Sequence, residues 1–433
     1  MKYKESRYNC VIEKDGYTLI YNSLANKFYK ALCTYREIKE ESLVEHKLKI
    51  SNEIDEEKLA FTKFIRLQED NSRLQLIILP TMDCNFRCTY CYEEKISEFM
   101  SEEVQSAIIN YVRQNIRGKK EISISWFGGE PLLCKNIVTH ICSEVKKMAN
   151  YYHIQFHSGM TTNGYLLDCE TFRQLLQHNI REYQITLDGN QETHNITRPL
   201  RSGAGSYLRI LENLKSIRDN VKTRNFNIVV RVNMTKDSLD KFQEIVQQIY
   251  EEFGADRRFQ FYFKEVGDYG GDNVTKIKEQ LISDPTGIEQ KLLQCPYQFN
   301  LQSQYNMFSW NPMCYAACHY SHVIKPNGDI AKCTVYFSHP NNQIGKLMPD
   351  GGMIFNEKQY HWDLVGLEAY KSKKCGDCPF YANCFHAGCP SQQAVKGEAI
   401  QSDTNCSLKE RTYQAIEVMY RHNPEVFIEL ERI

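Results

Sequence analysis

Three cysteines within eight residues, Cys84, Cys88 and Cys91, stand just behind an apolar run and Pro80, and no other feature constrains the fold as tightly. The run at 74–79 reads as a β-strand, so three thiols project from one loop at a strand end. Eight more cysteines, Cys314, Cys318, Cys333, Cys375, Cys378, Cys384, Cys389 and Cys406, crowd the last third of the chain. The polar N-terminal stretch MKYKESRYN has no apolar core of a secretory signal, so the expected compartment is the reducing cytoplasm. Disulfides are disfavoured there, and 17 cysteines, an odd count, read mainly as metal ligands.

Between the two cysteine groups, short β-rich runs at 74–79, 122–126, 154–157, 183–187, 227–232 and 259–263 alternate with amphipathic stretches at 101–117, 135–149, 169–178, 206–219 and 238–253. Repeated βα units imply an α/β fold with a parallel sheet, and six of them make a partial, TIM-like (β/α)6 barrel over residues 74–263. The first 73 residues differ: a hairpin signal at Asp15-Gly16 precedes charged helical segments, which predicts a small α+β domain. Residues 264–313 are expected to connect the barrel to a cysteine-rich, loop-rich tail, 314–433. Lys+Arg and Asp+Glu number 53 and 54, so the net charge of −1 provides no field to draw nucleic acid or anionic lipid. No apolar run reaches the length of a membrane span.

Barrels of this type carry their chemistry at the C-terminal ends of the strands, where the cysteine loop lies. Three thiolates leave one iron of a 4Fe-4S cluster open, whereas a structural zinc would want a fourth Cys or His that the loop lacks. The spacing Cys84-x-x-x-Cys88-x-x-Cys91, with Tyr90 before the third cysteine, resembles the radical S-adenosylmethionine (SAM) superfamily. The resemblance continues at successive strand ends. Gly128-Gly129-Glu130-Pro131 corresponds to the turn that holds the methionine amino group, with Glu130 offering a charge-assisted bond. Thr162-Asn163 in Thr161-Thr162-Asn163-Gly164 suit ribose or carboxylate contacts. After Leu187-Asp188-Gly189 comes His194-Asn195-Ile196-Thr197-Arg198, where Arg198 is implied to pair with the cofactor carboxylate and Asn195 replaces the family's usual Asp. Tyr90 is implied to lie near the adenine, and Asn233 is a further cofactor candidate that equally reads as an inward strand residue filling the barrel. His194 equally reads as an ordinary loop histidine.

In the tail, nine residues separate Cys318 from Gly328 and four more separate Gly328 from Cys333; Cys375-Gly-Asp-Cys378, Cys384, Cys389 and Cys406 follow. This resembles the SPASM extension with two auxiliary 4Fe-4S clusters, although four residues stand between Cys384 and Cys389 where the family has three. The resemblance implies Cys314, Cys318, Cys333 and Cys389 at the cluster nearer the barrel, and Cys375, Cys378, Cys384 and Cys406 at the outer one. Spacing alone is also met by two zinc sites of four thiolates each. Cys10, Cys33, Cys134, Cys142, Cys169 and Cys295 are left over and read as small buried hydrophobes.

The resemblance implies three 4Fe-4S clusters and SAM as cofactors. SAM chelates the open iron, an electron donor such as flavodoxin or ferredoxin drives its cleavage, and the 5′-deoxyadenosyl radical takes hydrogen from substrate. Relatives with such tails modify peptides, and a leader-recognition domain, winged-helix-like, is common among them. The expected function is therefore a maturase that installs a thioether or carbon-carbon crosslink in a ribosomally made precursor peptide bearing a leader. An anaerobic sulfatase maturase, which makes formylglycine, is the alternative, but that family's Asp base directly after the third tail cysteine is Thr334 here. A non-catalytic metal scaffold has no need of the strand-end turns. No protein residue is assigned as a catalytic base.

Overall fold

The computed structural model describes residues 2–269, 273, 277–284, 286–309, 312–367, 375, 377–384, 389–396 and 407–433. It opens with strands β1 Tyr3–Glu5, β2 Asn9–Lys14, β3 Tyr17–Asn22 and β4 Lys27–Ala31. Helix α1 Glu40–Glu45, strand β5 Lys49–Ser51 and helix α2 Glu56–Gln68 follow. β2 and β3 pair across Asp15-Gly16, where Gly16 takes the left-handed φ of +85° that such a turn requires.

Six parallel strands form the centre: β6 Arg73–Ile78, β7 Glu121–Trp126, β8 Gln155–Thr162, β9 Ile180–Thr186, β10 Asn227–Met234 and β11 Phe259–Glu265. They lie side by side in sequence order, and helices connect each to the next. These helices are α3 Glu102–Asn115, α4 Lys135–Tyr152, α5 Cys169–Gln177, α6 Gln191–Thr197, α7 Tyr207–Asn220, α8 Lys236–Asp240 and α9 Phe242–Phe253. Sequence dictates these elements locally. In β7, Ile122, Ile124 and Trp126 alternate into the core. In α9, Phe242, Ile245, Val246, Ile249 and Phe253 make one buried stripe. Ser101 and Asp168 cap α3 and α5 by accepting from the Val104 and Thr171 backbone N–H groups. The single helix expected at 238–253 instead begins at Lys236, where Thr235 and Ser238 form a capping box, and is broken at Lys241. The fold is α/β, with a large parallel sheet.

That sheet does not stop at β6. Strand β12 Ser321–Ile324 pairs with β6 in parallel, and β13 Asp329–Ala331, β14 Gln343–Leu347 and β15 Met353–Phe355 continue it antiparallel to ten strands. Cys318 and Cys333 flank the β12–β13 hairpin, so the first tail cysteines sit beside the strand that feeds the Cys84 loop. The first 73 residues share their sheet as well. Its order is β16-β4-β3-β2, where β16 Phe427–Glu429 runs parallel to β4 with Phe427 opposite Phe28. The Phe28 ring meets Phe427 at 4.8 Å and Phe308 at 4.9 Å. Of the left-over cysteines, Cys10, Cys33, Cys134, Cys142 and Cys295 are buried, while Cys169 at the start of α5 is partly exposed. No described helix is long and apolar enough to cross a membrane.

Candidate active site

The turn after β7 is built onto the cysteine loop after β6. The Gly129 N–H donates to Thr81 O at 3.1 Å and the Glu130 N–H to Asp83 O at 2.9 Å. A Cβ on Gly129 would lie 1.9 Å from Asp83 O, and one on Gly128, at φ +113°, would lie 2.5 Å from Thr81 O. Both glycines are therefore demanded by close backbone approach. Glu130, fully buried, accepts from Leu132 N (3.0 Å) and Thr162 Oγ1 (2.7 Å) on one oxygen and from Asn163 N (2.8 Å) on the other. It ties the end of β7 to the end of β8, and an ammonium would have to share oxygens that already accept three bonds. Burial pushes its carboxyl upward, and the Asn163 amide, Thr162 hydroxyl and Leu132 amide oppose that. Pro131 opens a short helical turn, Pro131–Cys134, and is buried. Asn163 donates to Asn85 Oδ1 at 2.8 Å, reaching back to the residue after Cys84.

A second network closes the other side. Tyr90 donates its hydroxyl to Asp188 Oδ2 and accepts from Arg198 (2.9 Å) and from Asn233 Nδ2 (3.0 Å). Asp188 Oδ1 accepts from the Asn233 N–H at 2.8 Å. The four groups thus join the cysteine loop, the ends of β9 and β10, and the segment after α6. Asp188 was not among the residues expected at the site, although it stands in the Leu187-Asp188-Gly189 run at a strand end. Burial pushes its carboxyl up, against the pull of Arg198. Arg198 is buried with its guanidinium 5.6 Å over the Phe86 ring, and among the described residues its Nε–H has no partner, which leaves a buried donor for an anionic group such as a carboxylate. Segment 197–201 runs along the cysteine loop: Thr89 N donates to Thr197 O and Arg87 N to Pro199 O, both at 2.9 Å. Asn195 accepts from Ser206 N (2.9 Å) and Tyr207 N (3.1 Å) ahead of α7. An amide oxygen serves there as well as a carboxylate, so the Asp-to-Asn departure leaves this contact intact. His194 accepts from Asp188 N and faces Ser206, a loop-bracing role; burial holds its pKa down near about 2.

Burial pushes the Cys84 thiol up to about 12 and the Cys88 thiol up to about 11, with Cys88 adding to the shift of Cys84 and Cys91 to that of Cys88. Three neighbouring sulfurs that repel one another once ionised are held together as thiolates by a cation, which is the donor chemistry of a metal or iron-sulfur site. Lys95, paired to Glu93 at 3.0 Å, contributes the field of a cation to Cys84 and Cys91. In the tail, burial pushes Cys314 up to about 12, with Cys333, Cys389 and Cys318 adding to the shift. Those four thiols share one neighbourhood. Cys375 and Cys378 pack against a separate cluster of Tyr8, Ala60, Tyr381 and Ala382, with Cys10 behind Cys378, while Cys384 packs on the main core with its N–H donating to Phe380 O (2.9 Å) and Tyr381 O (3.2 Å); Cys406 lies outside the described residues. Among the described residues, no three Cys, His, Asp or Glu side chains already form a single-ion site.

Residues 78–249 match the family model of the Radical SAM superfamily. Over 146 residues the chain is 27% identical to the cysteine-type anaerobic sulfatase-maturating enzyme of Clostridium perfringens, covering 32% of this chain and 39% of that one. It is 23% identical over 252 residues to the radical SAM cyclopropyl synthase TigE of Paramaledivibacter caminithermalis, covering 54% and 48%. The matched region thus spans about two-fifths to one half of these relatives' lengths. The structure "Native anSMEcpe with bound AdoMet" shares the fold, with TM-score 0.59 at 18% identity over 81% of this chain and 97% of that one. The cysteine loop and the glycine turn of the next strand lie inside the matched span, so residues 78–249 are a radical SAM domain.

Proposed function

We propose that this enzyme is a peptide maturase that abstracts hydrogen from a ribosomally made precursor and installs a thioether or carbon-carbon crosslink. It would use one 4Fe-4S cluster on Cys84, Cys88 and Cys91 and two auxiliary clusters on the tail cysteines, the outer set including Cys406. When bound, the first cluster and SAM supply a 5′-deoxyadenosyl radical. The chain's own part is placement. Arg198 meets the cofactor carboxylate with its spare donor, Tyr90 and Asn233 are held rigid by Asp188, and the Glu130 tie keeps the two turns fixed against the cluster loop. Such fixing matters because a hydrogen must be held within about 3–3.5 Å of the radical carbon.

Thr334 carries the choice of peptide crosslinking over formylglycine formation. It follows Cys333 directly, and its hydroxyl is engaged by the Tyr315 hydroxyl at 2.7 Å, so no carboxylate base stands where the sulfatase-maturase resemblance requires one. Formylglycine formation remains the second reading, supported by the similarity to the sulfatase-maturating enzymes. Reconstituted enzyme with SAM and a reductant, flavodoxin or ferredoxin in the cell, is given either any short peptide encoded beside its gene or a Cys- or Ser-bearing sulfatase peptide. Tandem mass spectrometry should locate loss of two hydrogens between two residues of the first. Conversion of the second alone to an aldehyde would overturn the crosslinking reading.

For leader recognition the proposed module is residues 1–73, gripping the leader as an added strand. β4 is already covered by β16, and β2 is the other edge of this sheet. Hydrogen exchange on the intact chain should show the amides of residues 9–14 slowing when precursor is added. Unchanged exchange there at saturating precursor would remove this domain from recognition.

A further inference from the structure

The four-thiol neighbourhood of Cys314, Cys318, Cys333 and Cys389 contains a buried ammonium. Lys332 is 1% exposed, and its Nζ donates to the carbonyls of Cys318, His319 (3.2 Å) and Ser321 (3.0 Å). Three N–H bonds are thereby satisfied by three neutral acceptors, and no carboxylate oxygen is among them; Asp363 is the carboxylate that lies within its field. The Cys333 sulfur receives two further donors, the Ser391 hydroxyl at 2.8 Å and the Val335 N–H at 3.2 Å. Asn342, fully buried, fixes this arrangement. Its Oδ1 accepts from the N–H groups of Lys332 (3.1 Å) and Cys333 (3.0 Å), and its Nδ2 donates to Cys333 O (2.8 Å).

A 4Fe-4S cluster gains one negative charge on reduction, and cations and sulfur-directed hydrogen bonds favour the reduced form. We propose that Lys332 and Ser391 are positioning residues that raise the reduction potential of an auxiliary cluster held by Cys314, Cys318, Cys333 and Cys389. This rests on the three-cluster reading above.

Full-length protein is reconstituted, its iron counted, and its clusters titrated anaerobically by electron paramagnetic resonance. In Lys332→Met one tail-cluster midpoint should move negative by about tenfold in the reduction equilibrium, about 59 mV for one electron, while the other stays. Ser391→Ala should move the same midpoint in the same direction, and Ser391→Thr should restore it. If Lys332→Met does not retain iron, the two Ser391 variants carry the test, because they leave every ligand in place. Full iron with both midpoints unmoved in the Ser391→Ala variant overturns the proposal alone. Unmodified protein that holds only the four irons of the Cys84 loop overturns the three-cluster reading and the proposal with it.

Discussion

Gly129→Ala is a single methyl group added where two strand-end loops touch. Its Cβ would meet Asp83 O at 1.9 Å, Asp83 C at 2.4 Å and Met82 O at 2.7 Å, all backbone atoms that no rotamer change can move aside. Ordinary contact requires opening the gap by roughly 1.5 Å. Two hydrogen bonds span that gap, Gly129 N to Thr81 O and Glu130 N to Asp83 O, at about 0.5–1.5 kcal/mol each, and overpacking adds about 1–3 kcal/mol. The expected loss is therefore about 2–6 kcal/mol of stability. Catalysis should suffer more visibly, because a displacement near 1 Å at reacting groups costs about 100-fold. Anaerobic SAM cleavage, read as 5′-deoxyadenosine by chromatography, should fall by about two orders of magnitude, with a clear drop in melting temperature. Gly16→Ala is the control: nothing lies within 4 Å of its added methyl, so only the left-handed φ is strained, at about 1–2 kcal/mol. A Gly129→Ala enzyme with normal melting and normal cleavage would refute the close approach on which the site is built.

Replacing Cys84, Cys88 and Cys91 together by Ala should remove about four of about twelve irons and abolish SAM cleavage, with the remaining iron measured colorimetrically. Arg198→Met should lower stability and SAM affinity, since it removes a donor to Tyr90 and the cation whose field opposes the burial of the Asp188 carboxylate; calorimetric melting and SAM titration read both, with Arg198→Lys retaining part of each. Phe427→Ala should cost about 3–5 kcal/mol, because the ring packs on Phe28 and Tyr420, and exchange should quicken at residues 27–31. His422 is buried as the neutral ring, accepting from Phe299 N and facing Leu292 O, and burial holds its pKa down at about 4 against 6.5. The unfolded chain thus takes up this proton first as pH falls, so stability present above about 6.5 is lost toward about 4, by roughly 3 kcal/mol. His422→Gln should flatten that slope in denaturant melts, and an unchanged slope would contradict the assignment.

The βα alternation was legible because β7 and α9 follow their own periods of 2 and 3.6 without interference. The cysteine loop and the Gly128-Gly129 turn were legible as motifs, yet their mutual contact was not, since nothing in either stretch says that Gly129 touches Asp83. Asp188 shows the same gap: its type and place were visible, but its value comes from Tyr90 and Asn233, 98 and 45 positions away. The β12–β13 hairpin did carry a local signal. Asn327-Gly328, with Gly328 at φ +85°, is a tight-turn dipeptide between apolar runs, and reading Gly328 only as a spacer between Cys318 and Cys333 hid the strands on either side. β16 gave no such sign, being three residues long and defined only by the strand it joins.

Strand β16 also ties the molecule's beginning to a point some 400 positions later, with Phe427 set opposite Phe28. During synthesis, β4 leaves the ribosome long before its parallel neighbour exists, and its edge stays open while the radical SAM domain is made. An open edge invites foreign strands, so the nascent chain is most exposed to mispairing through that interval.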